Sequence, residues 1–402
     1  MSNIKSFSAK NNTNYIIILI ILILVGAYVI YALTRPMPKL TIKSNDITSP
    51  TYNGNFVWPS YGQSAIGAKG YGVLSTHGEQ IAKPIASIAK TILALAITKE
   101  RPLALGEQGP NIPITQIDID LYNDAVKNNG SNVPVTIGEN LSQYQALQAL
   151  LIPSGDNIAE TLAIWAFGSQ QQYLDYANNM VANWGLTNTR MADASGLSPQ
   201  TVSSAHDLIM IGEKIMNDPV LSKIVSQQDV ELPVVGKVKN YNTLLGQNGV
   251  TGIKTGNTDE AGGCLLFSYT KQIDQKDTIL IGVILGASSR YQALIDTTSL
   301  IKNNDLNYKY FNIVKKDQVI GSVQTPWNKD VNIIAKDDLT ILMVPGEKVE
   351  VSSQINSIDK TLNENVEVGK ITATYLNNNV LVPVVLDEKI PTPPILWRLF
   401  HL

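Results

Sequence analysis

Residues Tyr15–Leu33 (YIIILIILILVGAYVIYAL) form an unbroken apolar run without a charge. At about 1.5 Å of helix rise per residue the run matches a hydrocarbon layer roughly 30 Å thick, so it reads as one transmembrane helix and a single-pass anchor. Everything after it must then find its core outside the lipid. A cleaved signal peptide is the competing reading, but the run exceeds the usual apolar core of about 7 to 15 residues and no A-x-A site follows it. Lys5 and Lys10 flank one side and Arg35, Lys39 and Lys43 the other, so the positive-inside count leaves the orientation open. Residues 1–14 are left as a short N-terminal tail.

The remaining length is ample for a large core, because 402 residues at about 150 per domain predict two to three domains. Lys plus Arg is 31 against 34 for Asp plus Glu, a formal charge of -3, so no basic excess is present to coat a phosphate backbone and no nucleic-acid partner is expected. Charged residues are only 16%, which leaves the polar surface to Asn, Gln, Ser and Thr. Cys264 stands alone, so no internal disulfide is available. His77, His206 and His401 lie too far apart for metal-ligand spacing, and neither metal nor cofactor is expected.

A polar linker (34–59) leads to a strand at Ala65–Ser75 and an apolar helix at Ala86–Lys99. Ser142 and Gln145 make a capping-box pattern that opens a helix to Ile152; Pro153 breaks it, and Asn157–Phe167 resumes one. Ser169–Trp184 and Ser204–Met216 read as two more helices. The period then changes to short strands at Gly252–Thr258, Gly263–Thr270 and Thr278–Gly286, followed by a helix at Ser289–Ile301. Strands and helices are partly segregated, which predicts an α+β domain over residues 60–304. Beyond Asp305 only short strands are read, with turns at Pro345-Gly346 and Asn377-Asn378-Asn379, so residues 305–390 are expected to form a small all-β domain. The tail 391–402 (PTPPILWRLFHL) either covers that domain or touches a bilayer, and its prolines favour the first.

Ser87-Ile88-Ala89-Lys90 places a hydroxyl and an amine three residues apart on one helical face. S-x-x-K also starts at Ser2, Ser268, Ser299 and Ser357, so the spacing alone is weak. Only Ser87 opens a helix whose next ten residues are apolar apart from Lys90 and Thr91, a setting that desolvates an amine and can free it to take the serine proton. The bland alternative is a lysine snorkelling out of a core helix with Ser87 as its N-cap. Two further motifs follow in chain order, Ser154-Gly155-Asp156-Asn157 at the break between two helices and Lys254-Thr255-Gly256 ending a strand. Together they make the S-x-x-K, S-x-N-like, K-T-G signature of penicillin-recognising serine enzymes.

On these motifs, residues from about Gly62 to Asn303 resemble D-alanyl-D-alanine carboxypeptidases of the low-molecular-mass penicillin-binding type, serine peptidase family S11. Gly138–Leu141 with Gln145–Leu147, Asp193–Pro199 and Thr258–Cys264 are similar to that family too. The resemblance implies a transpeptidase/β-lactamase-like domain, with an antiparallel sheet flanked by helices and a helical subdomain. It implies a peptidoglycan stem peptide ending in D-Ala-D-Ala as substrate, β-lactams as covalent inhibitors, and a catalytic domain on the cell-wall side of the membrane. Ser87 would be acylated, Lys90 would be its general base, and Ser154 would relay the proton to the leaving D-alanine. Lys254, Thr255 and Gly256 would receive the terminal carboxylate, with Arg290 near it; a solvated first-turn arginine is the plain alternative for Arg290. The backbone N–H groups of Ser87 and Asn257 would form the oxyanion hole.

Asp156 departs from the family pattern, which usually has Asn at that position. If Asp156 faces Lys90, it opposes loss of the lysine proton; if it faces a helix N-terminus, Asn157 supplies the substrate-facing amide, and this second arrangement is the expected one. Tyr176-Ala177-Asn178 is a weaker stand-in for the second motif, and Cys264 belongs to the core. A DD-endopeptidase uses the same residues. A catalytically silent penicillin-binding or wall-binding module is the alternative outside the enzymes. No glutamate lies between Glu160 and Glu213 to activate a deacylating water, which argues against a β-lactamase.

Overall fold

The structure is a computed structural model that describes residues 10–358, 360–376 and 378–401. Lys5, Leu402 and the Asn377 position of the expected turn lie outside the described residues. Helix α1 (Lys10–Thr34) contains the apolar run, its side chains from Tyr15 to Leu24 are all exposed, and it is long and apolar enough to cross a membrane.

The apolar segment expected to be one strand at Ala65–Ser75 is a hairpin, β1 and β2 of a central sheet being Gln63–Ala68 and Gly72–His77. The chain reverses at Lys69–Tyr71, where Tyr71 N donates to Ala68 O at 2.9 Å. Helix α2 (Ala89–Glu100) follows a 3₁₀ turn at Ala86–Ile88, and every residue from Ala89 to Ile97 is buried. Around it pack α4 (Gln143–Leu151), α5 (Asp156–Phe167), α6 (Gln170–Asn183) and α7 (Ala205–Asn217), with α3 (Gln116–Lys127) on α5 and α8 (Pro219–Val225) on α4 and α7. The capping box at Ser142 and Gln145 forms as expected, with Gln145 N donating to Ser142 Oγ at 3.1 Å. Helices α3 and α8 were not foreseen, although Thr115 with Asp118 caps the first, and Asp218 before Pro219 caps the second.

Strands β3 (Val250–Thr258), β4 (Gly262–Ile273) and β5 (Lys276–Ala287) complete the antiparallel sheet in the order β3-β4-β5-β1-β2. Helices α2 to α8 share one apolar cluster with one face of this sheet; α9 (Arg290–Asn303) belongs to the cluster on the other face. Strand β3 is an edge, so its backbone beyond Lys254 is open to a partner.

Seven strands follow: β6 (Lys309–Val314), β7 (Val319–Gln324), β8 (Asp330–Ala335), β9 (Leu339–Met343), β10 (Val349–Ile355), β11 (Glu367–Tyr375) and β12 (Asn378–Leu386). The polar segment 34–59 is not merely a linker, since Thr41–Ser44 pairs antiparallel with β7 and forms the edge of the six-stranded C-terminal sheet. The pairing satisfies backbone groups that β7 would otherwise expose. Tyr375 Oη donates to Leu74 O at 2.6 Å and Ser75 Oγ to Glu347 at 2.7 Å, tying the C-terminal strands to the central sheet. In the tail, the short helix α10 (Ile395–Phe400) sets Trp397 edge-on to Trp327, with ring centroids 5.6 Å apart. The tail also reaches α1, where Tyr28 Oη donates to Leu399 O at 2.6 Å.

Candidate active site

Ser87 lies in the 3₁₀ turn just before α2, and Lys90 in the first turn of that helix. Lys90 is fully buried and its Nζ donates to Ser87 Oγ at 2.8 Å, so the three-residue spacing is realised as a direct hydrogen bond. The snorkelling alternative is thereby removed. Two more acceptors surround the amine, Asp156 Oδ1 at 2.5 Å and the backbone oxygen of Ser195 at 2.8 Å. Ala86, directly before the serine, has φ of 47°, a conformation that costs a non-glycine residue about 1–3 kcal/mol and turns Ser87 away from a regular helix start.

Ser154 also sits at positive φ, 66°, in the break between α4 and α5. It is 2% exposed and its Oγ has no hydrogen-bond partner among the described residues. A buried hydroxyl without a partner costs on the order of 1–3 kcal/mol, which suits a group kept for a reacting atom.

The expectation for Asp156 and Asn157 is reversed. Asn157 was expected to present its amide to substrate, but it is buried and spends that amide on the Val133 backbone, donating to Val133 O at 2.9 Å and accepting from Val133 N at 3.0 Å. Asp156 caps no helix with its side chain and pairs with Lys90 instead. The physical reason is the 129–133 loop: Asp156 N donates to Ser131 O at 2.7 Å, which holds that loop against the start of α5, and side chains about 100° apart around the helix then send Asn157 to Val133 in the loop and Asp156 to Lys90. Asn178, the weaker stand-in, is likewise spent on the Met191 backbone.

Strand β3 brings Lys254, Thr255, Gly256 and Asn257 past the serine. A Cβ on Gly256 would stand 2.8 Å from Ile85 O and 3.2 Å from Ser87 N, so glycine is what lets the strand reach the serine backbone. Lys254 is 2% exposed, with its Nζ bonded among the described residues to Thr255 O alone, at 3.0 Å. Burial, and after it the charge of Lys90, hold the Lys254 amine well below the ordinary lysine range. An arriving carboxylate would satisfy it. Arg290 opens α9 and is exposed, its guanidinium 4.4 Å from the Tyr241 ring centroid, while its backbone N donates to Asn257 Oδ1 at 2.9 Å. Its charge adds to the repulsion on Lys254, so both cations belong to one end of the site. Cys264 is core, and burial pushes its thiol up to about 11.

Sequence reasoning missed the Ser195 carbonyl, although the stretch around it was singled out. Asp193 accepts from Ser195 Oγ, Gly196 N and Leu197 N, each at 2.8 Å, and this knot aims the carbonyl at Lys90. The arrangement thus holds a hydroxyl beside a buried amine, a second free hydroxyl, and a strand edge with the Lys254 amine and the nearby Arg290 guanidinium at one end. These are the parts for acyl transfer to serine from a substrate that ends in a carboxylate.

A family model described as D-alanyl-D-alanine carboxypeptidase matches residues 65–289. The chain is 25% identical over 239 residues to the D-alanyl-D-alanine carboxypeptidase DacF of Bacillus subtilis, a match covering 57% of this chain and 60% of that relative. It is 28% identical over 238 residues to a D-alanyl-D-alanine endopeptidase of Haemophilus influenzae, covering 57% and 77% of the two chains. Penicillin binding protein 5 from Haemophilus influenzae has a similar fold, with a TM-score of 0.64 at 19% identity over 86% of this chain and 99% of that one. The match spans about three fifths of the length of the DacF relative.

Proposed function

The chain belongs to the D-alanyl-D-alanine carboxypeptidase family, peptidase S11, and from that premise we propose that it removes the terminal D-alanine from peptidoglycan stem peptides through an acyl-enzyme at Ser87. The observation that carries this reading is the 2.8 Å bond between the fully buried Lys90 amine and Ser87 Oγ. Ser87 Oγ attacks the carbonyl of the penultimate D-alanine while its proton passes to Lys90. The oxygen of the tetrahedral intermediate is received by the N–H groups of Ser87 and Asn257, which the Gly256 approach supports. When the C–N bond breaks, the leaving D-alanine amine takes a proton through Ser154, whose free hydroxyl supports that role. Water then cleaves the ester, with Lys90 accepting its proton. Lys254 and Thr255 bind the terminal carboxylate, with Arg290 at the same end. A β-lactam enters by the same attack and stays as a slowly hydrolysed ester.

Residues 15–33 serve as a membrane anchor, with the catalytic unit (60–304) on the cell-wall side, where this substrate lies. Residues 305–390 form a β unit that packs on the face of the central sheet away from α2, closed by the strand at 41–44. Endopeptidase action on cross-links is the second reading, favoured by the endopeptidases among the relatives. The test is labelling of the whole chain in membranes by a fluorescent penicillin, together with release of D-alanine from a D-Ala-D-Ala peptide. Both are expected in the wild type and neither in Ser87→Ala. Labelling that survives in the variant refutes the assignment of the nucleophile.

A further inference from the structure

Asp156 and Glu160 stand four residues apart on α5, hence on one face of that helix. The first carboxylate is spent on Lys90, as described above. The second is partly buried and accepts from the side-chain amide of Gln170, at the start of α6. Around Glu160 the charged and titratable groups are Asp156 on its own helix, Lys90 from α2, Asp193 from the knot that aims Ser195, and Tyr173 from α6. Tyr173 is wholly buried and its hydroxyl has no partner among the described residues. From α3 the acid Asp118 is occupied by Thr115 and Thr161, and α4 brings Tyr144 as its titratable side chain.

This cluster sets three carboxyl groups, Asp156, Glu160 and Asp193, against one amine. Asp156 has the lysine, and Asp193 has Ser195, Thr201 and two backbone N–H groups. Glu160 has one neutral amide, so it is the carboxyl group with the least to hold a negative charge. Burial first, then Asp193 and Asp156, push it up to about 7, with Lys90 pulling the other way.

We propose that Glu160 is a positioning residue for the reaction at Ser87, acting through the Lys90–Asp156 pair: protonated, it leaves that pair balanced; ionised, it adds negative charge behind Asp156 that retains the lysine proton and slows acylation. The inference rests on Lys90 being the base for Ser87. It makes acylation respond to neutral pH through a residue that touches neither substrate nor nucleophile.

The test is the rate constant of penicillin acylation from pH 5.5 to 8.5 for the wild type and Glu160→Gln, using the full chain in membranes. At pH 5.5 the two rates should agree within about twofold. At pH 8.5 the variant should be about five to ten times faster, and the break near pH 7 in the wild-type profile should be gone. Superimposable profiles, or a variant slower by one factor at every pH, overturn the proposal. Infrared difference spectra of the unsubstituted protein supply a measurement that needs no variant to fold: a protonated carboxyl band should disappear with a midpoint near pH 7, and its absence overturns the proposal too. Labelling that persists in Ser87→Ala would instead remove the reading of the site, while leaving the infrared result for Glu160 to stand or fall separately.

Discussion

The central sheet with its helices and the C-terminal β region are both antiparallel and both densely apolar, yet they bury different things. Around α2 the chain buries Lys90, Lys254, Asp156, Asn157 and Ser154; between Lys309 and Leu386 the buried polar residue among the described ones is Thr325. Backbone strain divides the same way. In the β region most of the non-glycine residues at positive φ are Asp317, Asn328 and Asn365, exposed turn residues of types that tolerate that conformation. Beside the serine they are Ala86 and Ser154, one buried without a polar side chain and the other with its hydroxyl unpartnered. Apolar burial makes both regions stable; the β region sets little against it, Leu376 at positive φ and the unpartnered Trp327 Nε1, whereas the polar groups and strain around α2 converge on one serine, and there the chemistry is proposed to lie.

Substitutions can break this contrast, and the largest effect is expected at the serine. Ser87→Ala should lower D-alanine release by more than about 10³-fold while thermal unfolding stays within a degree or two of the wild type. Gly256→Ala should slow penicillin acylation by about 10²-fold, because the new methyl group must push β3 away from Ile85 O and Ser87 N. Ile371, fully buried in β11, supplies the opposite behaviour. Ile371→Ala should cost about 2–5 kcal/mol in denaturant unfolding and leave the acylation rate of the folded protein unchanged.

The neighbouring pair at the start of α5 sharpens the comparison within a single turn. Asn157→Ala should destabilise by about 2–4 kcal/mol, since it strands two Val133 backbone groups, with acylation altered less than about threefold. Asp156→Asn should accelerate acylation about tenfold at neutral pH and move its profile toward acid, because the ion pair that opposes removal of the lysine proton is gone. Slower acylation in Asp156→Asn would show that the carboxylate serves the reaction directly. The smallest effect is a slope. Glu160 binds its proton more tightly folded than unfolded, so its contribution is present in acid and is lost as pH rises from 4.5 through about 7. Wild-type stability should fall on the order of 1 kcal/mol between pH 5.5 and 8, and Glu160→Gln should flatten that fall.

Motifs that are local in sequence were legible. The Ser87–Lys90 bond follows from helical spacing, and the capping box at Ser142 from a four-residue pattern. The fold class was legible for a similar reason, because the change from helical to strand periodicity near Gly252 separates the two halves of the domain. The direction in which Asp156 points was not, because it depends on packing against distant segments, Lys90 for its side chain and Ser131 for its backbone N–H, that residue types do not encode. The Ser195 carbonyl was hidden for the same cause: every residue has one. The strand at Thr41–Ser44 reads as linker in the sequence because one apolar residue, Ile42, among three polar ones carries no alternation, and only a distant partner makes them a strand.

That strand also governs the order in which the molecule can be completed. Thr41 pairs with Gln324, so the piece synthesised soon after the apolar run waits for most of the chain before it finds its place. Loop closure over such a distance is slow compared with forming the helices around α2, which meet nearby segments. The central domain can therefore assemble while the outer edge of β7 is still bare, and the last pairing closes that edge against other chains. A chain truncated before Thr41 should keep this closure. One truncated after Ser44 should refold to a competent Ser87 but aggregate through β7, so that the segment just after the apolar helix acts as a guard for the strands made last.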